Sequence, residues 1–413
     1  MKKKKLVVMK FGGSSVADAD KIKIVAGKIY AKKSKGFKVV GVVSAPGDMT
    51  DDLLEMAGKV SANPPDREMD MLLATGEQVS IALLSMAIHD LGGDAVSLTG
   101  AQAGIYADHA HTKARITKIV PSKIRDEISK GRVVIVAGFQ GINPNKDVAT
   151  LGRGGSDLTA VALAAALKAD VCEIYTDVTG VYTADPRIEP QAKKLDRISY
   201  DEMLELAGAG SQVMQARSIE VAKKFGVDIH VRSTFSEKEG TWIVKEVGGM
   251  EEVVVSGVAF DKNQAKLSAL EIPDRPGSAA KIFGALADIH VNVDMIIQSA
   301  AQEGTNDISF TIARTDLKKT VPILQSVSKE LGGNGVLVDD NVAKVAIVGV
   351  GMRSHAGVAA RMFRALAEKG VNIEMISTSE IKVSCIVSES DCQRAVQVLH
   401  KAFGLGKNKN EAF

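Results

Sequence analysis

Cysteine is scarce in this chain of 413 residues, with Cys172, Cys385 and Cys392 as its whole complement. Three scattered thiols make neither a disulfide framework nor a zinc site, so a reducing, cytoplasmic location is expected. Net charge is small as well, +2 from 52 basic and 50 acidic side chains. Without a large field of one sign, neither nucleic acid nor an anionic membrane is an expected partner, and small ligands are. No uninterrupted apolar run reaches the ~18 residues that argue for a membrane span. The basic run at 2–5 precedes only a short apolar stretch at 6–9, with no long apolar core or small-residue cleavage site, and reads as a solvated tail rather than a signal peptide. A Walker A sequence is also missing, since no glycine-rich loop ends in Gly-Lys-Ser or Gly-Lys-Thr, and phosphate binding needs another design. His109 and His111 lack a set of further ligands, which places them in a turn or on the surface and leaves no expected metal site.

What the chain does have is Leu-Gly-Arg-Gly-Gly-Ser-Asp-Leu-Thr at 151–159, a glycine cluster running into an alanine-rich helix expected over 158–168. Glycines let a backbone approach a ligand closely, and the first amides of a helix are unpaired at its positive end. A phosphate or carboxylate suits such a junction; a tight turn with an ordinary Asp cap is the alternative. Apolar, β-branched runs at 6–9, 39–44, 95–98, 133–137, 171–176 and 228–231 read as strands separated by helices. That alternation predicts a mostly parallel sheet between helical layers over 1–245, with functional loops at the carboxyl ends of the strands.

The remainder carries an internal repeat at an offset of 80 residues: Phe283 falls on Phe363, Asn292 on Asn372, and Met295-Ile296 on Met375-Ile376. Each copy reads as a ferredoxin-like βαββαβ unit, the first over 253–339 and the second over 340–405. The second copy is one strand short, and the stretch 253–260 is expected to complete it.

Several residues carry candidate chemistry. Lys10 ends the first strand ahead of Gly12 and Gly13, so its charge and their amides suit phosphate oxygens; a snorkelling surface lysine is the alternative. In 176–187, Tyr182 can lie against a purine and Arg187 can reach phosphate, although a capped β-turn explains the same residues. Thr75-Gly76-Glu77 is expected to open a helix over 79–89, where Glu77 either suits the helix N-terminus or receives an ammonium group. With hydroxyls from Ser44 and Thr50, and Arg153 as a bidentate partner for a carboxylate, these make a set for a zwitterion.

Lys10-Phe11-Gly12-Gly13-Ser14-Ser15, Thr75-Gly76-Glu77, the 152–157 cluster and the 176–187 segment, in that order and followed by the repeat, resemble the aspartate kinases over essentially the whole chain. The resemblance implies an amino acid kinase fold followed by two ACT domains, and transfer of the ATP γ-phosphoryl group to the side-chain carboxylate of L-aspartate, the first step toward lysine, threonine and methionine. It implies that Lys10 and Asp157 are catalytic, and that Ser44, Thr50, Glu77, Arg153, Gly154 and Ser156 bind substrate. Lys10, Phe11, Gly12, Gly13, Thr176, Asp177, Tyr182, Asp185, Arg187 and Gln212 would hold ATP, with Mg²⁺ arriving through the nucleotide. Two departures stand out. Gln212 occupies a position usually lysine, and Asp51 one commonly asparagine, which puts one ATP contact and the substrate affinity in question.

For the repeat, the resemblance implies lysine or threonine, or both, as inhibitors. Asp274, Ser278, Ala279, Asn292, Asp294, Gln298, Asn372, Ile373, Ser379 and Glu380 are the expected effector contacts. Pairing of such units implies a homodimer or tetramer, and Met250 is a candidate start for a shorter regulatory subunit. A related kinase acting on glutamate or acetylglutamate, and a non-catalytic amino acid sensor, are the competing readings.

Overall fold

The structure, a computed structural model, describes residues 5–211, 213–247 and 254–406. Gln212, Met250 and Val253 therefore lie outside the described residues. Two compact units emerge: Met1–Val181 with Lys194–Ala207 and Gln212–Gly249, and Tyr182–Lys193 with Gly208–Ser211 and Met250–Phe413.

Through residue 244 the chain runs β1 (Leu6–Phe11), α1 (Ala19–Ser34), β2 (Lys38–Val43), α2 (Met49–Val60), α3 (Asp66–Asp90), β3 (Ala95–Leu98), β4 (Ile105–Ala107), β5 (Ile116–Ile119), α4 (Ser122–Ser129), β6 (Val133–Ala137), β7 (Gln140–Ile142) and β8 (Val148–Thr150). It continues through α5 (Gly155–Leu167), β9 (Val171–Thr176), β10 (Arg197–Ser199), α6 (Tyr200–Gly208), α7 (Ala216–Phe225), β11 (Ile229–Ser233) and β12 (Thr241–Val244). Eight strands form the main sheet in the order β10-β12-β11-β9-β1-β2-β6-β3, parallel throughout except where β11 meets β12. Its central strands are valine and isoleucine runs buried on both faces, such as Val39, Val40, Val42 and Val43 in β2 and all of β6. Helices can cover both faces of a sheet only if both are apolar, which is why these strands do not alternate. Strands of three or four residues, β5-β4-β7-β8, make a second small sheet that the sequence reading did not anticipate.

Two helix starts differ from expectation. α5 begins at Gly155 rather than 158, because Gly154 takes the left-handed conformation (φ 71°) that admits the chain directly into the helix. Asp157 is therefore in the first turn and does not cap the helix through its side chain. α3 begins at Asp66, so Glu77 sits in the middle of a 25-residue helix and not at its N-terminus. Gly76 looks like a helix breaker but is a packing requirement: a Cβ there would lie 2.6 Å from the Ala45 methyl. α3 is the one helix, among the described residues, long and apolar enough to cross a membrane by length and composition. Half of its most apolar window is buried inside the protein, and both Asp70 and Glu77 lie on its buried face.

The second unit contains β13 (Gly257–Pro273), α8 (Ser278–Asp288), β14 (Val293–Gln298), β15 (Thr305–Ala313), α9 (Leu317–Leu331), β16 (Val336–Val348), α10 (Val358–Ala367), β17 (Met375–Thr378), β18 (Lys382–Ser388) and α11 (Cys392–Ala402). One six-stranded sheet, β14-β15-β13-β16-β18-β17, carries both copies of the repeat. The two central strands are long and shared. Residues 257–261 of β13 pair with 344–348 of β16, which also pairs with β18, while 264–273 pairs with β15. Gly277 and Gly357, equivalent in the repeat, cap α8 and α10 with φ of 99° and 90°. Residues 182–193 belong to this unit, where Ala184 and Ala192 are buried with Val345 and Met362.

Candidate active site

The loops that follow β1, β2, β6 and β9 meet at the carboxyl edge of the main sheet. Parallel neighbours in register bring these ends together, and the glycines let them close. The Gly47 amide donates to the Gly13 carbonyl at 3.0 Å, and a Cβ on Gly13 would lie 2.8 Å from the Ala45 carbonyl oxygen. The Gly12 amide donates to the carbonyl of Tyr175, and the Ser44 amide to that of Phe11. A Cβ on Gly138 would lie 2.7 Å from the Ser156 side chain. The loop between β11 and β12 joins them: the Thr234 amide donates to Thr176, and its hydroxyl bonds that of Ser15 at 2.7 Å.

Within this cluster Lys10 Nζ is 2.7 Å from Asp157 Oδ1, with both side chains about nine-tenths buried. At that distance one ammonium hydrogen serves the carboxylate, and the two others can reach a further acceptor. A Cβ on Gly12 would lie 3.5 Å from that nitrogen, which places the charge above the glycine backbone. Asp157 stands in the first turn of α5, at the positive end of the helix, where its own amide donates to the Gly154 carbonyl at 3.1 Å.

Glu77 is 3% exposed. Its Oε1 accepts the Ala45 amide at 3.1 Å, and its Oε2 is buried without a hydrogen-bond partner. Burial pushes the carboxyl up to about 7, opposed by the backbone hydrogen bonds it accepts. A nearby cation would reverse the shift. Arg153 is exposed and forms no ion pair among the described residues, on the turn between β8 and α5. Ser44 and Thr50 flank the same β2–α2 loop, Thr50 in the first turn of α2. Thr176 donates to Asp177 at 2.9 Å.

The remaining expected nucleotide contacts belong to the second unit or lie outside the described residues. Tyr182, Asp185 and Arg187 fold with the second unit, where the Asp185 carboxylate holds the Arg187 fork, at 2.7 Å from Nη2. The guanidinium beside Asp185 lowers its carboxyl below the ordinary range. Gln212 is outside the described residues.

Among the expected effector contacts, Asp274 accepts from Asn306 at 3.1 Å, and Ser278 donates to the Pro273 carbonyl at 2.8 Å. Asp294 is ion-paired with Lys344, whose side chain is 3% exposed and also donates to the carbonyl of Gly208. The repeat-equivalent acid, Glu374, pairs with Lys266 at 2.9 Å. Glu380 pairs with Arg353, and Ser379 closes the β17–β18 turn onto Lys382. Asn292 and Asn372 are both exposed, and Ile373 packs at the edge of the second copy's core.

Sequence reasoning missed one constellation. His111, assigned to a turn or the surface, has Nδ1 2.6 Å from the fully buried Asp70, which Thr150 and the Thr112 amide also reach. The available signal was the spacing of Asp70 from Glu77, seven residues and hence one helix face.

The sequence profile of the amino acid kinase family matches residues 5–233, and that of the ACT domain matches 269–327 and 345–403. The aspartokinase of Corynebacterium glutamicum is 52% identical over 406 residues, 97% of this chain and 96% of that protein. The aspartokinase of Mycolicibacterium smegmatis is 51% identical with the same coverage. Among solved structures, E. coli aspartokinase III in complex with aspartate and ADP superposes with a TM-score of 0.82 at 25% identity, covering 96% of this chain and 99% of that one. The chain belongs to the amino acid kinase family and, within it, to the aspartokinases with C-terminal ACT domains: it is a phosphotransferase with a carboxyl group as acceptor.

Proposed function

We propose that this chain phosphorylates the side-chain carboxylate of L-aspartate with ATP, giving 4-phospho-L-aspartate for lysine, threonine and methionine synthesis, and that lysine, threonine or both inhibit it through the ACT repeat. The observation that carries this is Glu77, a buried carboxylate with one oxygen left open, in the same loop cluster as the Lys10–Asp157 pair. An orphaned buried acid costs stability unless a ligand completes it, and the ammonium of an amino acid is such a ligand. E. coli aspartokinase III was crystallised with aspartate and ADP, and with lysine and aspartate, which supports the substrate and effector classes.

The acceptor carboxylate is ionised near neutral pH and needs no general base. Its difficulty is repulsion from the triphosphate, so catalysis consists of positioning and charge neutralisation. In this reading Lys10 meets the phosphoryl oxygens and Asp157 fixes its ammonium. The amides that follow Phe11, at Gly12 and Gly13, approach the nucleotide with Thr176 and Asp177. Glu77 holds the substrate ammonium, Arg153 its α-carboxylate, and Ser44, Thr50, Gly154 and Ser156 further oxygens. Among the described residues no group of three or more His, Cys, Asp or Glu is placed to hold an ion. Mg²⁺ in this reading rides on the phosphates of ATP, where it supplies charge neutralisation.

The catalytic domain is taken as 1–245 and the two ACT units as 253–339 and 340–405, with 253–260 completing the second; the pairing of Phe260 with Val345 supports that exchange. Ile296 and Ile376, equivalent in the repeat and lying on the two edge strands, are 53% and 41% exposed, which supports assembly through this sheet into a dimer or tetramer. A shorter regulatory subunit starting near Met250, and a cytoplasmic location, complete the proposal.

ADP release, measured with L-aspartate, with L-glutamate and with no acceptor, tests it. Aspartate-dependent turnover is the expected result. Turnover with glutamate alone, or none with either, contradicts it. Titrating lysine and threonine singly and together identifies the effector.

A further inference from the structure

Asp70 is a carboxylate with no exposed surface, on the same face of α3 as Glu77, and the mechanism proposed above gives it no role. Burying an ionised acid is costly unless several donors close on it. Here three do. The Thr150 hydroxyl at the end of β8 and the Thr112 amide donate to Oδ1, the amide at 3.0 Å, and His111 Nδ1 lies 2.6 Å from Oδ2.

These contacts fix the 111–113 turn in a costly conformation. Thr112 has φ 60°, a left-handed value that a β-branched residue rarely adopts and that persists only where surrounding contacts impose it. The turn lies against Gly152, itself left-handed at φ 76°: a Cβ there would stand 3.2 Å from the Thr112 carbonyl oxygen. Two further ties hold the flanks together. The Ala114 amide donates to Thr150 at 2.9 Å, and the Arg217 guanidinium donates to the carbonyls of Leu151 and Ala114 at 2.7 and 3.0 Å. Arg153 directly follows Gly152.

We propose that Asp70 and His111 are positioning residues for recognition of the substrate's α-carboxylate: they lock the 111–113 turn against Gly152 and so set where the Arg153 guanidinium points. The inference rests on the assignment of Arg153 to that carboxylate. One helix thereby organises both ends of the amino acid, its ammonium through Glu77 directly and its carboxylate through Asp70 indirectly. In this proposal neither residue touches substrate or nucleotide.

The test is steady-state kinetics with L-aspartate and ATP varied separately. The His111 side chain is 19% exposed, so His111→Ala spares the core. It is expected to raise KM for aspartate about tenfold, as a small misplacement of a binding group does, with KM for ATP changed less than about twofold. His111→Asn, which restores a donor near Nδ1, is expected to recover most of the loss, and Asp70→Asn to follow His111→Ala. In an Arg153→Ala background, His111→Ala is expected to add nothing. Equal effects on both KM values, or additivity with Arg153→Ala, would overturn the proposal and leave the assignment of Arg153 standing. An Arg153→Ala enzyme with unchanged KM for aspartate would remove that assignment, and this inference with it.

Discussion

Among the described residues of the catalytic unit, the buried Glu77 keeps one carboxylate oxygen without a partner and the exposed Arg153 forms no ion pair, whereas in the repeat unit two acids are closed on lysines. Asp294 of the first copy reaches Lys344 on β16, and Glu374 of the second reaches Lys266 on β13. These acids are 80 residues apart and equivalent in the repeat, so the two ion pairs are reciprocal. The difference separates two ways of using a charge. Groups left open, like Glu77 on α3 and Arg153 on the turn before α5, are shaped for a ligand that must be grasped and released. Groups closed across a shared sheet hold two copies in register, and an effector that needs Asp294 has to compete with Lys344 for it.

The comparison breaks most visibly at Lys10. Its replacement by Ala is expected to lower turnover by about 10² to 10³, the usual effect of losing one charge-stabilising donor, in the ADP-release assay; an unaffected rate would remove Lys10 from the mechanism. Glu77→Gln is expected to raise KM for aspartate about 10- to 100-fold through loss of a charge-assisted contact. It carries a second signature. A native carboxyl raised to about 7, against an ordinary value of 4.5, means the folded state binds its proton more tightly than the unfolded chain. That stabilisation is full below 4.5 and lost as pH rises through 7. Ligand-free Glu77→Gln should therefore melt higher than the parent above pH 7 and lose this pH dependence; identical melting profiles would show that Glu77 is not the strained group.

On the other side of the comparison, Lys344→Met removes an ammonium on a side chain 3% exposed. It is expected to cost about 2 kcal/mol in urea unfolding, because Asp294 and the Gly208 carbonyl both lose their partner. Lys266→Met is the smaller change: its pair with Glu374 is 25% and 22% exposed, and screening holds the effect below about 1 kcal/mol. Equal effects at the two lysines would erase the difference in burial as their explanation.

Much of this was legible before the structure. β3, β6 and β9 carry the bounds their apolar runs predict, and β1, β2 and β11 differ by one or two residues, because a strand buried on both faces needs no periodicity to be recognised. Glycine misled where its reason was tertiary: Thr75-Gly76-Glu77 read as the opening of a helix, whereas α3 runs through it and Gly76 faces the Ala45 methyl, which nothing local reveals. The small sheet of β4, β5, β7 and β8 escaped because strands of three or four residues carry too little pattern. β13 and β16 read as separate pieces because the repeat divides what the shared sheet joins. At the site, Lys10 and Asp157 were named from motif and meet in space. Asp70 and His111 were not, since an acid in a helix and a histidine in a loop look like surface until the chain folds them together.

The account depends most on Glu77 receiving the substrate ammonium, and titration calorimetry of L-aspartate binding at pH 7, in two buffers of different ionisation enthalpy, tests that directly. Burial raises this carboxyl to about 7, and it must be ionised to meet an ammonium, so binding is expected to release a fraction of a proton per site, and none in Glu77→Gln. Binding without proton release in the parent enzyme, or the same release in the variant, would contradict the account.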